Sequence, residues 1–219
     1  MPPRPLVTIT ETALPDPLFR SLRTSVKALG GERMRATYQT TFWFPLDGTP
    51  PSCVPEQAVL DLRRHLPKRR AVIGAEWWLS RMRTDEVQVD FHQDRDERLA
   101  LERGQTVHPV LSSVFFLNRV KGGALAVTRR PANDDNPSRA PDDFDCDLVS
   151  PVPNRFVWFR GDLTHGVLDR DNALPDAHQA RSGALRLALI VNWWDRRPHR
   201  IPRFPEVRFY RALRLDRKR

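Results

Sequence analysis

The chain reads Val114-Phe115-Phe116-Leu117-Asn118 and then, after three further residues, Gly122-Gly123-Ala124-Leu125. The aromatic and β-branched residues of the first half favour a strand, which we predict over residues 109–117. The paired glycines allow a turn, and a second strand is predicted directly after it, over residues 124–128. Strand, turn and strand in close succession indicate a β-rich core.

Short apolar segments recur on both sides of this stretch. Further strands are predicted over residues 7–10, 38–44, 71–82, 86–91, 155–159 and 185–193. Two helices are predicted nearer the N-terminus. The first carries Leu18, Leu22 and Val26 at helical spacing, with Asp16 as its N-cap, and the second covers residues 52–66. Many short strands with few helices are typical of a jelly-roll or barrel-like domain. We therefore predict a mostly β fold with flanking helices that cover one sheet.

One domain is the organisation predicted for the 219 residues, because a chain of this length can enclose a single core. N-terminal α/β elements, residues 1–70, are expected to pack on a β core of residues 71–195. A basic C-terminal tail, residues 196–219, follows. Residues 129–147 and 168–183 are polar and are predicted as loops.

The composition predicts a soluble globular chain, with 40% apolar and 29% charged residues. No run approaches the roughly 18 apolar residues that a membrane span requires. The N-terminus has no apolar stretch of signal-peptide length. The two cysteines, Cys53 and Cys146, do not indicate a disulfide framework, so a reducing, cytoplasmic location is expected.

The positive charge is concentrated at the C-terminal end. Residues 196–219 contain ten Lys or Arg residues against Glu206 and Asp216, whereas the whole chain has a net charge of +9. Such a segment can bind nucleic acid, but we favour a solvated basic helix, because Arg and Lys are otherwise nearly balanced by acidic residues.

Three residues are candidate metal ligands: His92 and Asp94, two residues apart, and His165 far downstream. Two imidazoles and a carboxylate can cap one face of a metal ion and leave the other face open, as in non-haem Fe(II) oxygenases. Asp96 and Glu97 are close alternatives for the carboxylate, although the spacing from His92 favours Asp94.

Arg186 is the candidate anion-binding residue. It lies at the start of the strongly apolar strand predicted over residues 185–193, on the same face as Ala188 and Ile190. An arginine directed into a β core is costly unless an anion meets it, and a dicarboxylate can supply that anion. Arg181 is the second choice.

The chain resembles the Fe(II)/2-oxoglutarate-dependent dioxygenases, and most closely their prolyl 4-hydroxylase-like branch. The resemblance covers approximately residues 77–194. It rests on the stretch around Val114, on His92-Gln93-Asp94, on Phe159-Arg160-Gly161-Asp162-Leu163-Thr164-His165 and on Arg186. It implies a double-stranded β-helix, a jelly roll of the cupin-like kind. It also implies Fe(II) bound by His92, Asp94 and His165, and 2-oxoglutarate on that iron with its distal carboxylate on Arg186.

The activity implied by the resemblance is hydroxylation of a C–H bond with O2, accompanied by release of succinate and CO2. The carboxylate of Asp94 favours oxygenation, because related halogenases have a small residue in its place. Phe116 stands where related hydroxylases often have a tyrosine that contacts the co-substrate. The implied substrate is a small molecule or a peptidyl residue. A nucleic-acid-acting dioxygenase that uses the basic tail, or a catalytically silent metal-binding β-barrel, is the alternative.

Overall fold

The computed structural model describes seven stretches of the chain, namely residues 4–29, 40–67, 71–83, 91–131, 146–168, 185–206 and 213–215. The fold of these stretches is mostly β, as predicted. None of the helices in them is long and apolar enough to cross a membrane.

Nine strands occur in the described stretches. In chain order they are β1 (Val7–Thr10), β2 (Phe42–Pro45), β3 (Gly74–Arg83), β4 (Leu111–Phe116), β5 (Leu125–Thr128), β6 (Asp147–Val149), β7 (Arg155–Arg160), β8 (Thr164–Val167) and β9 (Leu185–Trp194). Six strands form an antiparallel sheet in the order β1-β7-β4-β9-β3-β2, and the other three form a second antiparallel sheet in the order β6-β5-β8. The central strands of the large sheet are therefore distant in sequence.

The two sheets face each other across a shared apolar layer. Leu125 and Val127 of the small sheet pack there with Val114 and Phe116 of β4 and with Ala188 of β9. Strand alternation makes this layer the inner face of both sheets. Two antiparallel sheets packed in this way form the double-stranded β-helix that was predicted.

Two helices cover the outer face of the large sheet, also as predicted. They are α1 (Asp16–Ala28) and α2 (Val54–Leu62). Phe19 of α1 packs edge-on against Phe115 of β4, with the ring centroids 5.9 Å apart, and Val59 of α2 is fully buried in the same cluster. The helices occupy the outer face, so the inner face is the one that remains available for a ligand between the described sheets.

Three elements were not predicted: β6, β8 and a third helix, α3 (Glu97–Arg103). The strand β8 has only four residues, Thr-His-Gly-Val, and a single large apolar one among them, so it lacks the apolar run or alternation by which a strand is recognised. His165 was expected at the end of the strand over residues 155–159, but it lies within β8, in the other sheet. The helix α3 has only seven residues, of which Leu99 alone is buried, and therefore shows no amphipathic pattern.

The predicted role of Asp16 is wrong. Pro15 is the N-cap residue of α1 and no side chain caps the helix, so Asp16 lies in the first turn. An acidic residue in this position is still favourable, because it faces the positive end of the helix dipole. Of the strand predicted over residues 86–91, only Phe91 belongs to the described residues, and most of the two predicted loops lies outside them.

The described part of the C-terminal segment differs from the solvated helix that was predicted. Phe204 and Leu213 are buried in the core cluster beneath the large sheet. Arg214 forms an isolated bridge with Cys53, and Phe204–Glu206 forms a 3-10 turn. The apolar residues between the arginines of this segment thus anchor it to the domain, which its charge alone did not indicate.

Candidate metal centre

The two histidines are brought together by a short piece of antiparallel pairing. The N–H of His92 donates to the carbonyl of His165 at 3.0 Å, and the N–H of His165 donates to the carbonyl of His92 at 2.8 Å. Residues paired directly in this way project their side chains from the same face. The ring centroids are accordingly only 4.4 Å apart, although 73 residues separate the two positions.

Asp94 completes the cluster. Its carboxylate lies 3.6 Å from Nε2 of His92 and 3.4 Å from Nε2 of His165. One possible ligand atom from each of the three residues lies within 4.8 Å of the other two. The structure therefore brings together the three residues that were predicted from the sequence.

Hydrogen bonds fix two of these side chains. Nδ1 of His165 lies 3.1 Å from the carbonyl of Leu163, so Nδ1 is the protonated nitrogen and Nε2 keeps its lone pair for a metal ion. The hydroxyl of Ser112 donates to Oδ2 of Asp94 at 2.7 Å. Both are the kind of supporting contact that orients a ligand before the metal binds.

The protonation states suit metal binding. Burial lowers the pKa of His165 to about 4, so its imidazole is neutral at pH 7. Burial by itself would raise the pKa of Asp94, but the two histidines and the hydroxyl of Ser112 together hold that pKa well below its usual range. A neutral imidazole beside an ionised carboxylate needs to lose no proton when a cation arrives.

The neighbouring backbone is also held in place. The side-chain amide of Gln93 donates to the carbonyl of Asp162 at 2.7 Å, which ties the ligand triplet to the loop before His165. Nδ1 of His108 lies 2.7 Å from the carbonyl of Asp94. Gly166, next to His165, packs under the ring of Phe91, where an added Cβ would lie 3.1 Å from the ring.

The two alternative carboxylates lie elsewhere. Asp96 caps α3 by accepting from the N–H of Leu99 at 3.0 Å, and it also accepts from His199. Glu97 is exposed and pairs with Arg95. Neither belongs to the cluster of possible ligands, so Asp94 is the carboxylate that the geometry selects.

Arg186 lies on the inner face of β9 and is 1% exposed. Its Nε donates to the carbonyl of Gly123 at 2.9 Å, its Nη1 lies 3.7 Å from the sulfur of Met82, and its guanidinium lies 5.0 Å from the ring centroid of Phe116. Each of these three partners is uncharged. The planar guanidinium fork has the geometry to bind a carboxylate in a bidentate manner. The second choice, Arg181, lies outside the described residues.

A row of inner-face residues beside the cluster was missed by the sequence analysis. Ser112 of β4 is paired with Asn192 of β9, which is paired in turn with Glu76 of β3. On the other side, Ser112 is paired with Phe159, whose ring centroid lies 4.9 Å from that of His165. Asn192 lies on the same face of β9 as Arg186, so strand alternation could have predicted that it faces inward. The positions of Ser112, Glu76 and Phe159 beside the cluster depend on the register between strands and could not be predicted in this way.

Glu76 is the most unusual ionisable group of this row. It is 9% exposed, and Nε1 of Trp194 donates to it at 3.1 Å. Burial raises the pKa of Glu76 to about 7, and the negative charge of Asp94 adds to the effect. Its carboxyl group therefore changes charge near neutral pH.

The chain is similar to known proteins in its structure but matches none of the compared families or curated proteins in its sequence. No protein-family model matches the chain. No curated protein matches it either. Among solved structures, a prolyl-4-hydroxylase from Pseudomonas putida is similar over 89% of this chain and 90% of its own, with 19% identity and a TM-score of 0.51.

Two further structures are similar at the same level. One is a prolyl hydroxylase from Trichoplax adhaerens in complex with a peptide fragment of the hypoxia inducible factor oxygen degradation domain. It is 12% identical over 88% of this chain and 84% of its own, with a TM-score of 0.52. The other is HygX from Streptomyces hygroscopicus with nickel, 2-oxoglutarate and hygromycin B bound. It is 13% identical over 87% of this chain and 83% of its own, with a TM-score of 0.51. These likenesses show that the chain has the fold of the prolyl hydroxylases.

Proposed function

We propose that the chain is an Fe(II)- and 2-oxoglutarate-dependent dioxygenase that hydroxylates a C–H bond. The observation that carries the proposal is the cluster of His92, Asp94 and His165 on the inner face of this fold. Two imidazole nitrogens and one carboxylate are the ligand set of non-haem Fe(II) oxygenases, and they leave coordination positions for a co-substrate and O2.

The donor atoms fit such a metal ion. Nε2 of His165 is oriented by the carbonyl of Leu163, and the carboxylate of Asp94 is oriented by Ser112. Bound iron would supply the oxidising power for attack on a C–H bond, with 2-oxoglutarate as the source of two electrons. Because a carboxylate is present at Asp94, we expect oxygenation rather than halogenation.

The 2-oxoglutarate would be held by Arg186. The guanidinium is buried on the inner face of β9, and its planar fork can form a bidentate pair with the distal carboxylate of the co-substrate. Phe116 has no hydroxyl with which to assist, so Arg186 would provide most of the binding free energy at this end. The apolar residues of the inner face would exclude water from the co-substrate and strengthen that ion pair.

The substrate class remains broad in this proposal. The similar structure from Trichoplax adhaerens holds a peptide fragment, and the one from Streptomyces hygroscopicus holds hygromycin B. We propose that the substrate is likewise a peptidyl residue or a small molecule.

The test is the conversion of 2-oxoglutarate to succinate by the purified protein with added Fe(II) and O2. We expect conversion by the wild-type protein and its loss in His92→Ala and Asp94→Asn. Glu97→Gln is the matched control, because it alters an exposed carboxylate three residues from Asp94 and should leave conversion unchanged. Tight binding of 2-oxoglutarate without conversion in the presence of a broad panel of peptidyl and small-molecule substrates would contradict the proposal and would indicate a silent metal-binding barrel.

A further inference from the structure

The side chain of Asn192 carries a hydrogen-bond acceptor that the described part of the protein leaves unused. Asn192 is 3% exposed, and its amide oxygen has no hydrogen-bond partner among the described residues. Two donors on the same face are engaged elsewhere: the Ser112 hydroxyl donates to Asp94, and Nε1 of Trp194 donates to Glu76. A buried acceptor without a partner is unfavourable and rare, and it indicates a group that is supplied from outside.

This acceptor faces the candidate metal centre. Strand alternation places Asn192 on the inner face of β9, together with Ala188, which packs between the two sheets. Asn192 is paired with Ser112, so the two Cα atoms lie roughly 5 Å apart. The hydroxyl of Ser112 in turn reaches Asp94. The amide of Asn192 therefore lies one strand away from a candidate metal ligand.

Apolar side chains flank the acceptor on the same face. Two residues along β9 lies Ile190, which is paired with Trp78 of β3 and with Val114 of β4. Ile190 and Val114 both contact the apolar layer between the sheets. A ligand that satisfies Asn192 would thus present a hydrogen-bond donor at one point and hydrocarbon beside it.

The co-substrate cannot fill this role. At neutral pH, 2-oxoglutarate has two carboxylates and a ketone, all of which accept hydrogen bonds and none of which donate. A second ligand with a hydroxyl or N–H group would satisfy the amide oxygen of Asn192. In the proposed dioxygenase that second ligand is the substrate.

We propose that Asn192 binds the substrate by accepting a hydrogen bond from a hydroxyl or N–H group next to the hydrocarbon segment to be oxidised. The inference rests on the proposed function and narrows its substrate class. Substrates with such a donor beside an unactivated carbon fit the site, whereas acceptor-only compounds of the same shape do not. Discrimination of this kind is strong, because the wrong ligand leaves the buried acceptor unsatisfied.

The experiment compares fragment pairs that differ in the donor alone. The protein is loaded with Mn(II) and 2-oxoglutarate, and binding of Mn(II) is first verified by electron paramagnetic resonance. Proton relaxation is then measured for cyclohexanol against cyclohexanone, and for 2-pyrrolidinone against N-methyl-2-pyrrolidinone. The paramagnetic ion enhances relaxation only for fragments bound near it. We expect the donor member of each pair to bind about tenfold more tightly, the effect of one hydrogen bond to a buried acceptor.

Two variants assign this preference to a residue. Asn192→Leu keeps the approximate shape of the side chain without its polar atoms and should abolish the preference. Thr164→Val is the matched control, because the Thr164 hydroxyl is equally buried and has no partner among the described residues, but alternates to the face of β8 opposite His165. Thr164→Val should therefore keep the preference.

Three results would overturn the inference. They are equal enhancement for both members of each pair in the wild-type protein, no enhancement for any of the four fragments, and an unchanged preference in Asn192→Leu. Failure of Mn(II) to bind the wild-type protein would instead refute the proposed function, and it would be seen before any fragment is added.

Discussion

Nδ1 of His199 lies 2.9 Å from Oδ2 of Asp96, two residues after the candidate ligand Asp94. The backbone N–H of His199 donates to the same oxygen, also at 2.9 Å, while the other oxygen of Asp96 caps α3 through Leu99. One buried carboxylate thus connects the loop that carries Asp94 to the C-terminal segment. Through this connection, the C-terminal segment helps to position the loop that carries the candidate ligand Asp94.

Replacement of His199 should therefore weaken metal binding without removing a ligand. In His199→Ala we expect affinity for Ni(II), measured by calorimetry, to fall by about threefold to tenfold, at or below the range for outer-shell partners of a metal site. Arg200→Ala is the control, because Arg200 is an exposed neighbour that pairs with Glu102. Equal Ni(II) affinities for the two variants would contradict the prediction.

Ser112 should matter more, because its hydroxyl bonds the ligand Asp94 directly at 2.7 Å. We expect Ser112→Ala to lower the affinity for Ni(II) by roughly tenfold or more, since the carboxylate loses the donor that orients it. Ser113→Ala offers a sharp comparison. The Ser113 hydroxyl is equally buried but donates to the carbonyl of Val191 and accepts from Trp193. This variant should lose stability in urea yet keep its metal affinity.

Arg186 should determine the affinity for 2-oxoglutarate. In Arg186→Met we expect the dissociation constant, measured by calorimetry on the Ni(II)-loaded protein, to rise by at least about tenfold, because a charge-assisted pair in a buried site is lost. Arg186→Lys keeps the positive charge but loses the two parallel N–H donors of the guanidinium, so its dissociation constant for 2-oxoglutarate should be intermediate. Affinity for Ni(II) itself should be unchanged in both variants. An unchanged affinity for 2-oxoglutarate in Arg186→Met would show that another residue holds the co-substrate.

Glu76 should make the stability of the metal-free protein depend on pH. Burial raises its pKa from 4.5 to about 7 in the folded protein, so the folded state holds a proton that the unfolded state releases. The contribution of Glu76 to the free energy of unfolding should therefore decrease as the pH rises from about 4.5 through about 7, by at most ~3 kcal/mol. The lowered pKa of His165 contributes in the opposite direction, but it does so in the wild-type protein and the variant alike. Glu76→Gln cannot titrate and should lack this decrease. Urea unfolding at pH 5 and pH 8, with metal removed, measures the difference; identical changes in both proteins would refute the prediction.

Part of the candidate metal site and most of the fold could be predicted from short stretches of sequence. His92 and Asp94 lie two residues apart, and Arg186 is the one charged residue in an apolar strand, so its position in that strand gives its face. The fold followed from many short strands separated by turns. The short strand β8 was missed because its four residues include a single large apolar one, and α3 was missed because a helix with one buried residue shows no periodicity.

The surroundings of the site could not be predicted, because they depend on register between distant strands. Ser112 reaches Asp94 only because β4 lies in the centre of the large sheet. Asn192 lies beside Glu76 through pairing of residues 116 positions apart in the sequence. A shift by one residue would turn each of these side chains to the outer face. His199 lies in a segment that was predicted to be exposed to solvent because it is rich in arginine, so its contact with the buried Asp96 was not expected.

The side chain of His92 is 43% exposed, whereas those of His165 and Asp94 are 10% and 9% exposed. The candidate metal site therefore has two buried ligands, His165 and Asp94, and one ligand that solvent can reach, His92. Exchange of a bound metal ion would begin at His92, because a proton or a chelator would reach this exposed side chain before the two buried ligands. For the same reason, free imidazole from solution can replace the side chain removed in His92→Gly but cannot enter the space left in His165→Gly.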